Sequence, residues 1–238
     1  MTPSEDPRIR TRVDGRVLVV TLDRGERRNA VDRAMADALQ STFDAFECDE
    51  TLSVAVVHGL PGVFSAGADL TEFREHGIVP PPRGFAGLCS QRPGKPLVAA
   101  VDGHALGGGL EIALACDVIV LGADAVMALP EVTHGLAALA GGVSRLRERI
   151  PPDRAAELAL TGRRFGAREA LAWGLGIAAD EDGALPTALR LARRVAAHPL
   201  PGLRETTALL RAAGDQGMPD RDALVARVNA LRRDAGDA

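Results

Sequence analysis

Two glycine-bearing stretches, Ser65-Ala66-Gly67-Ala68-Asp69 and Leu106-Gly107-Gly108-Gly109, are where this sequence could do chemistry. Each follows a run expected to form a strand, and the second opens a run expected to form a helix. Glycine removes the side chain that would keep a ligand away from the backbone. The first turn of a helix also presents N–H groups without internal partners and a partial positive charge. Two such groups converging on one oxygen would stabilise a carbonyl becoming an enolate, as in a thioester. The same glycines would equally serve a tight turn with close helix–strand packing, and spacing does not separate the two. A phosphate loop fits poorly, because the run lacks a Gly-Lys-Ser/Thr ending and does not match GxGxxG.

Two carboxylates sharpen the first reading. Glu111 lies three residues after Gly108, on the same face of the expected helix. Glu131 follows Pro130 at the exit of another expected strand. A pair of carboxyl groups flanking an enolate-forming carbon could handle one proton each. A first-turn glutamate also complements the helix dipole, and Glu131 would suit a solvated loop. Both alternatives stay open on spacing alone.

The elements that must position these residues alternate. Val17–Leu22 is rich in β-branched residues and predicts a strand. Gly25 to Asn29 make a polar, arginine-bearing loop, and Asp32 caps a helix to about Cys48 with Met35, Leu39, Phe43 and Phe46 on one face. Ser53–Val57, Leu97–Val101, Val118–Leu121 and Ala125–Leu129 predict further strands. Residues 74–94, with Pro80-Pro81-Pro82 and several glycines, predict a flexible surface loop. From Gly142 onward helices follow at roughly 142–149, 152–160, 167–173, 183–197, 201–213 and 220–233. The class is therefore α/β, one domain with a helical C-terminal part that could reach a partner subunit, since isolated helices need something to pack on.

Composition narrows the function classes. At 238 residues the chain can bury one sizeable core. A formal charge of −4 offers no basic field for nucleic acid. Lys95 is the only lysine, so arginine supplies the other 27 of 28 basic residues. Cys48, Cys89 and Cys116 are widely spaced and match no zinc pattern, which suits a reducing cytoplasm. The first residues lack a signal-like apolar run, and no apolar stretch is long enough to span a membrane, so a soluble cytoplasmic protein is expected. The histidine pattern implies no metal; His134, three residues after Glu131, is a candidate to tune that carboxyl.

The stretch from Lys95 to Asp117, KPLVAAVDGHALGGGLEIALACD, closely resembles the central segment of the enoyl-CoA hydratase/isomerase (crotonase) family. Glu26–Ala30, Phe64–Leu70, Leu129–Val132, Leu160–Gly162 and Ala167 through Leu175 resemble its other marker segments, in the family's order. Residues 136–142, LAALAGG, are similar to variants in actinobacterial-type members.

The resemblance implies a spiral of ββα units with a helical C-terminal segment for oligomerisation. It implies a core over residues 1–190, a shortened trimerisation segment over 191–238, and a trimer or dimer of trimers. It assigns the oxyanion hole to the amides of Ala68 and Gly108. It sets Ala30, Ala66, Asp69 and Leu70 around the adenine and pantetheine of coenzyme A, with Arg28, and Arg27 beside it, near the phosphates. Glu111 would deprotonate water and Glu131 would protonate C2, giving hydration of a trans-2-enoyl-CoA in fatty-acid or related acyl-CoA degradation. Coenzyme A is then part of the substrate and no separate cofactor is implied. An enoyl-CoA isomerase, or a catalytically silent acyl-CoA-binding protein, remains the alternative. The chain departs from the family pattern at Leu139, where a glycine is usual, and in the helix from Pro201, which lacks a frequent lysine. It also ends at Ala238, before the usual last helix.

Overall fold

The computed structural model describes residues 6–77 and 80–212. In chain order its strands are β1 (Ile9–Asp14), β2 (Val17–Leu22), β3 (Val54–His58), β4 (Val63–Ser65), β5 (Leu97–Val101), β6 (His104–Leu106), β7 (Val118–Leu121), β8 (Val126–Ala128), β9 (Phe165–Gly166) and β10 (Ile177–Ala178). The helices are α1 (Arg33–Cys48), α2 (Leu70–His76), α3 (Gly108–Ala115), α4 (Gly142–Arg149), α5 (Pro152–Thr161), α6 (Ala167–Ala172), α7 (Ala184–Ala196) and α8 (Leu200–Ala212).

The strands make two sheets, one ordered β1-β2-β3-β5-β7-β10 and a smaller one ordered β4-β6-β8-β9. The connectivity follows a repeating step. One strand enters the large sheet, the next enters the small sheet, and a helix follows: β3-β4-α2, then β5-β6-α3. The third step, β7-β8, ends in a short 3-10 turn over Pro130–His134. This is the ββα spiral that the family resemblance implies. Because β4, β6 and β8 are parallel, each step brings a strand exit to the same end of the small sheet, which is why residues from different steps meet there.

The central strands are buried nearly throughout, and successive side chains alternate between the two faces of a sheet covered on both sides. Leu18, Val20, Ala55, Val57, Leu97, Ala99 and Val101 face the core that holds α1 and α3. Val17, Val19, Val54, Val56, Val98, Ala100 and Val120 face α7 through Ala184, Ala188, Leu189, Ala192 and Ala196. The boundary expected after residue 190 falls inside α7, whose buried face continues to Ala196. The next helix, α8, is tied to the body by Arg211, which donates to Asp117 (2.8 and 2.7 Å) and to the carbonyl of Lys95 (3.1 Å).

Asp32 caps α1, accepting from Met35 N at 2.8 Å, as the sequence predicts. Lys95 serves the other end. It is fully buried, and its Nζ donates to the carbonyls of Phe46 (2.6 Å) and Asp49 (2.7 Å), which the helix itself cannot satisfy.

Two expectations change. β1 was not foreseen; it pairs antiparallel with β2 through the Gly15-Arg16 turn, with Gly15 at φ 59°. The flexible surface loop expected over 74–94 is largely packed structure. Its first residues complete α2, residues 78 and 79 lie outside the described residues, and Pro81, Gly84, Ala86, Leu88, Cys89 and Pro93 are buried. Left-handed turns at Gly84, Ala86 and Gly87 fold this segment onto α1, where Arg83 N donates to Gln40 Oε1 at 2.9 Å. The expected helix over 220–233 lies outside the described residues. Among those described, no helix is long and apolar enough to cross a membrane.

Candidate active site

The two glycine-bearing exits meet. At Gly107 (φ 55°) the chain turns from β6 into α3, and the Gly107 amide is held by the Ala128 carbonyl at 2.9 Å. Opposite it, Gly67 sits at φ 94°, and a Cβ there would come within 2.7 Å of Leu106 O and 2.8 Å of Gly108 N. Only glycine permits both that backbone angle and that approach. The Cβ position of Gly108 lies 3.3 Å from Ala68 N, so the Ala68 and Gly108 amides border one small space. Among the described residues neither amide donates a recorded hydrogen bond outside regular elements.

The approach is fixed by a buried clamp that the sequence reading did not single out. Asn29, held at φ 54°, donates from its side-chain amide to the carbonyls of Val63 and Phe64 (both 3.1 Å) and accepts from Arg24 N at 2.9 Å. Ser65 Oγ donates to Asn29 O at 2.8 Å and accepts from Gly67 N at 3.1 Å. Val31 N donates to Gly67 O, and Asp69 N to Val31 O, so residues 28–31 run beside 66–69 as a short ladder.

This ladder brings Arg28, Ala30, Ala66, Asp69 and Leu70 to one rim of the site. Arg28 and Leu70 are exposed there, and Ala66 N donates to Arg28 O at 3.0 Å. The Asp69 carboxylate is already occupied. It caps α2 through Thr71 N (3.0 Å) and Glu72 N (3.4 Å) and pairs with Arg24 at 2.7 Å. Burial would raise its pKa, but the Arg24 hydrogen bond and the cap amides outweigh that and hold it below the usual carboxylate range. Arg24 also donates to Ala30 O at 2.9 Å and lies 3.2 Å from Asp32.

The two glutamates flank the glycine turn. Glu131 Oε1 lies 3.0 Å from where a Gly107 Cβ would stand, and its Oε2 is buried without a partner. Burial raises its pKa. Glu111, 5% exposed, accepts from Gly142 N at 2.9 Å. Burial first, and the charge of Glu131 second, push its pKa up to about 8, while the Gly142 and Ala140 amides and Arg145 pull it down. The amides facing Glu111 are thus those of Gly142 and Ala140, and the half-buried Leu139 sits just before them. His134 is exposed at the end of the 3-10 turn that carries Glu131, and among the described residues no side-chain hydrogen bond or ion pair joins its imidazole to the Glu131 carboxyl.

The remaining wall is aromatic and was also missed. Phe85 Cε1 and Cζ lie 2.6 Å from the Gly108 Cβ position, so the ring covers the amide-lined space. Chemically, the site offers two free amides for one developing oxyanion and two carboxyls with raised pKa values beside it.

Residues 12–224 match the family model for enoyl-CoA hydratase/isomerase. The chain belongs to this family. Among curated relatives, it is 37% identical over 196 residues to the mevalonyl-coenzyme A hydratase of Aspergillus fumigatus, spanning 80% of this chain and 73% of that protein. It is 44% identical over 168 residues to carnitinyl-CoA dehydratase of Escherichia coli, spanning 68% of this chain and 64% of that protein, somewhat under two thirds of its length. A crystal structure of an enoyl-CoA hydratase from Mycobacterium marinum superposes with a TM-score of 0.84 at 36% identity, covering 94% of this chain and 89% of that one. The ββα steps described above are therefore those of a fold shared within the family.

Proposed function

We propose that this crotonase-family protein is a hydratase that adds water to a trans-2-enoyl thioester of coenzyme A, giving the 3-hydroxyacyl-CoA. The observation that carries this reading is the Glu131 carboxyl against the Gly107 turn, with Glu111 one helical turn along α3 from Gly108 and electrostatically coupled to Glu131. The hydratase and dehydratase names of the relatives support addition or removal of water, on acyl groups that differ from one relative to the next.

In the proposed step the proton that burial keeps on this coupled pair sits on Glu131, leaving Glu111 ionised. The Gly142 and Ala140 amides and Arg145 favour charge on Glu111, whereas the unpartnered Oε2 of Glu131 favours a proton there. Protonating Glu131 also removes the second cause of Glu111's raised pKa. Glu111 takes a proton from water as its oxygen bonds to C3. The C2–C3 π pair shifts into the thioester, whose oxygen becomes an enolate held by the two amides. The enolate then takes the Glu131 proton at C2. Passing one proton from Glu111 back to Glu131 resets the pair.

Arg28, Ala30, Ala66, Asp69 and Leu70 would line the path of the CoA moiety, Asp69 through its backbone because its carboxylate is engaged. The same proposal includes a trimer or dimer of trimers contacting through the segment from residue 191, cytoplasmic location, no separate cofactor and a role in acyl-CoA degradation.

The test follows the loss of enoyl-thioester absorbance over short to long trans-2-enoyl-CoAs, with products weighed by mass spectrometry. Gain of one water, abolished by Glu111→Gln and by Glu131→Gln, is the expected result. Double-bond migration without added water would replace this reading with an isomerase, and binding without turnover would replace it with a silent carrier.

A further inference from the structure

We propose that Arg145 is a positioning residue of this site, a buried guanidinium that ties the amide loop behind Glu111 to the segment carrying Phe85. Arg145 lies in α4 and is 4% exposed. Its Nη1 donates to Ala140 O at 2.9 Å and its Nη2 to Cys89 O at 2.6 Å. These two carbonyls belong to segments more than fifty residues apart in the chain. Ala140 opens the turn whose next glycine but one, Gly142, donates to Glu111. Gly141, at φ 94°, lies against the guanidinium, and a Cβ there would meet Arg145 Cζ at 2.9 Å. On the other side, Cys89 N donates to Phe85 O at 3.1 Å, and the Phe85 ring covers Gly108. One side chain therefore holds both the base and the wall over the oxyanion amide.

The electrostatics point the same way. Arg145 makes no recorded ion pair among the described residues, and its Nε is buried without a partner. A buried cation satisfied by carbonyls is a costly space-filler. Around it, Arg149 repels, and the Cys89 thiol is kept neutral because burial drives its pKa upward. Glu111 is faced by Glu131 from the turn after β8 and by Arg145 from α4. Arg145 therefore opposes the rise that burial and Glu131 impose on Glu111.

The inference rests on the hydratase reading, so its test has a readout that needs no turnover. In Arg145→Gln the infrared titration of the Glu111 carboxyl, identified by its absence in Glu111→Gln, should move to higher pH. With an enoyl-CoA, kcat should fall by about 100-fold with KM changed little, and the acidic limb of kcat should move the same way. Arg145→Lys keeps the charge but cannot span both carbonyls, so the limb should stay while kcat still falls. Folded variants with an unmoved Glu111 titration and wild-type kcat would overturn the proposal. So would a loss of kcat that only tracks a lower folded fraction. If the wild type hydrates nothing, the hydratase reading fails, while the infrared titration still decides the part assigned to Arg145.

Discussion

A glutamate buried beside a second glutamate stores free energy against its own ionisation, and Glu111 is such a residue. Its folded pKa, about 8, lies above the value near 4.5 that it has when exposed. Between those pH values the folded state keeps a proton that the unfolded chain releases, so this group's contribution to stability falls as pH rises. Glu111→Gln removes the penalty. Thermal or urea unfolding should show the variant gaining on the wild type by on the order of 2–4 kcal/mol between pH 5 and pH 9. A gap that does not change with pH would contradict the burial argument. Gly108 tests the other half of the site. Its backbone angle tolerates alanine, but the new methyl would meet the Phe85 ring at 2.6 Å and crowd Ala68 N. Gly108→Ala keeps the amide but puts a methyl into the space in front of it, so the variant should fold and lose about 100-fold or more in kcat, as blocking an oxyanion donor would. Near-normal turnover would mean that the reacting oxygen does not sit in the space between Gly108 and Ala68.

At the scale of elements, the Gly25–Asn29 loop is held to β4 by Asn29. Asn29→Ala would strand two carbonyls and the Arg24 amide, and chemical denaturation should register a loss of roughly 2–4 kcal/mol. Asn29 was within a motif visible in the sequence, yet its role was not, because its partners are carbonyls 34 and 35 residues away. What the sequence did disclose is local. Asp32 before an apolar 3.6-residue repeat announces α1, and β-branched runs announce the buried strands. The glycines at 67 and 107–109 announce close backbone approach, since no other residue allows it. β1 was hidden because it is an edge strand with little apolar content: Ile9 alone is fully buried, Val13 is 53% exposed, and Arg10 and Arg12 pair with Asp23 and Asp14. The 80–94 segment was misjudged because proline and glycine report that a chain turns, not whether the turn is covered. Phe85 and Arg145 were overlooked for a related reason: each acts on the site from a different step of the spiral.

For the molecule as a whole, the expected assembly has a direct test. Leu209 and Leu210, on α8, are 72% and 66% exposed in the single chain. Hydrophobic side chains at that exposure suit a subunit contact. Size-exclusion chromatography with light scattering should give the mass of a trimer or hexamer, and replacing both leucines with glutamate should lower it without changing the circular dichroism spectrum. A wild type that runs as a monomer would remove the contact from the proposal.

The burial of Lys95 bears on chemical self-damage. Coenzyme A thioesters are acylating agents, and the side-chain amine most exposed to them in proteins is that of lysine. This sequence carries one lysine, and the fold encloses it under the end of α1 with its ammonium given to two carbonyls. Every other side-chain cation is a guanidinium, which acyl donors modify far less readily. The native protein should therefore resist acetylation of its side-chain amine by an excess of acetyl-CoA or an amine-reactive acetyl ester. Peptide mapping should find Lys95 modified only after denaturation.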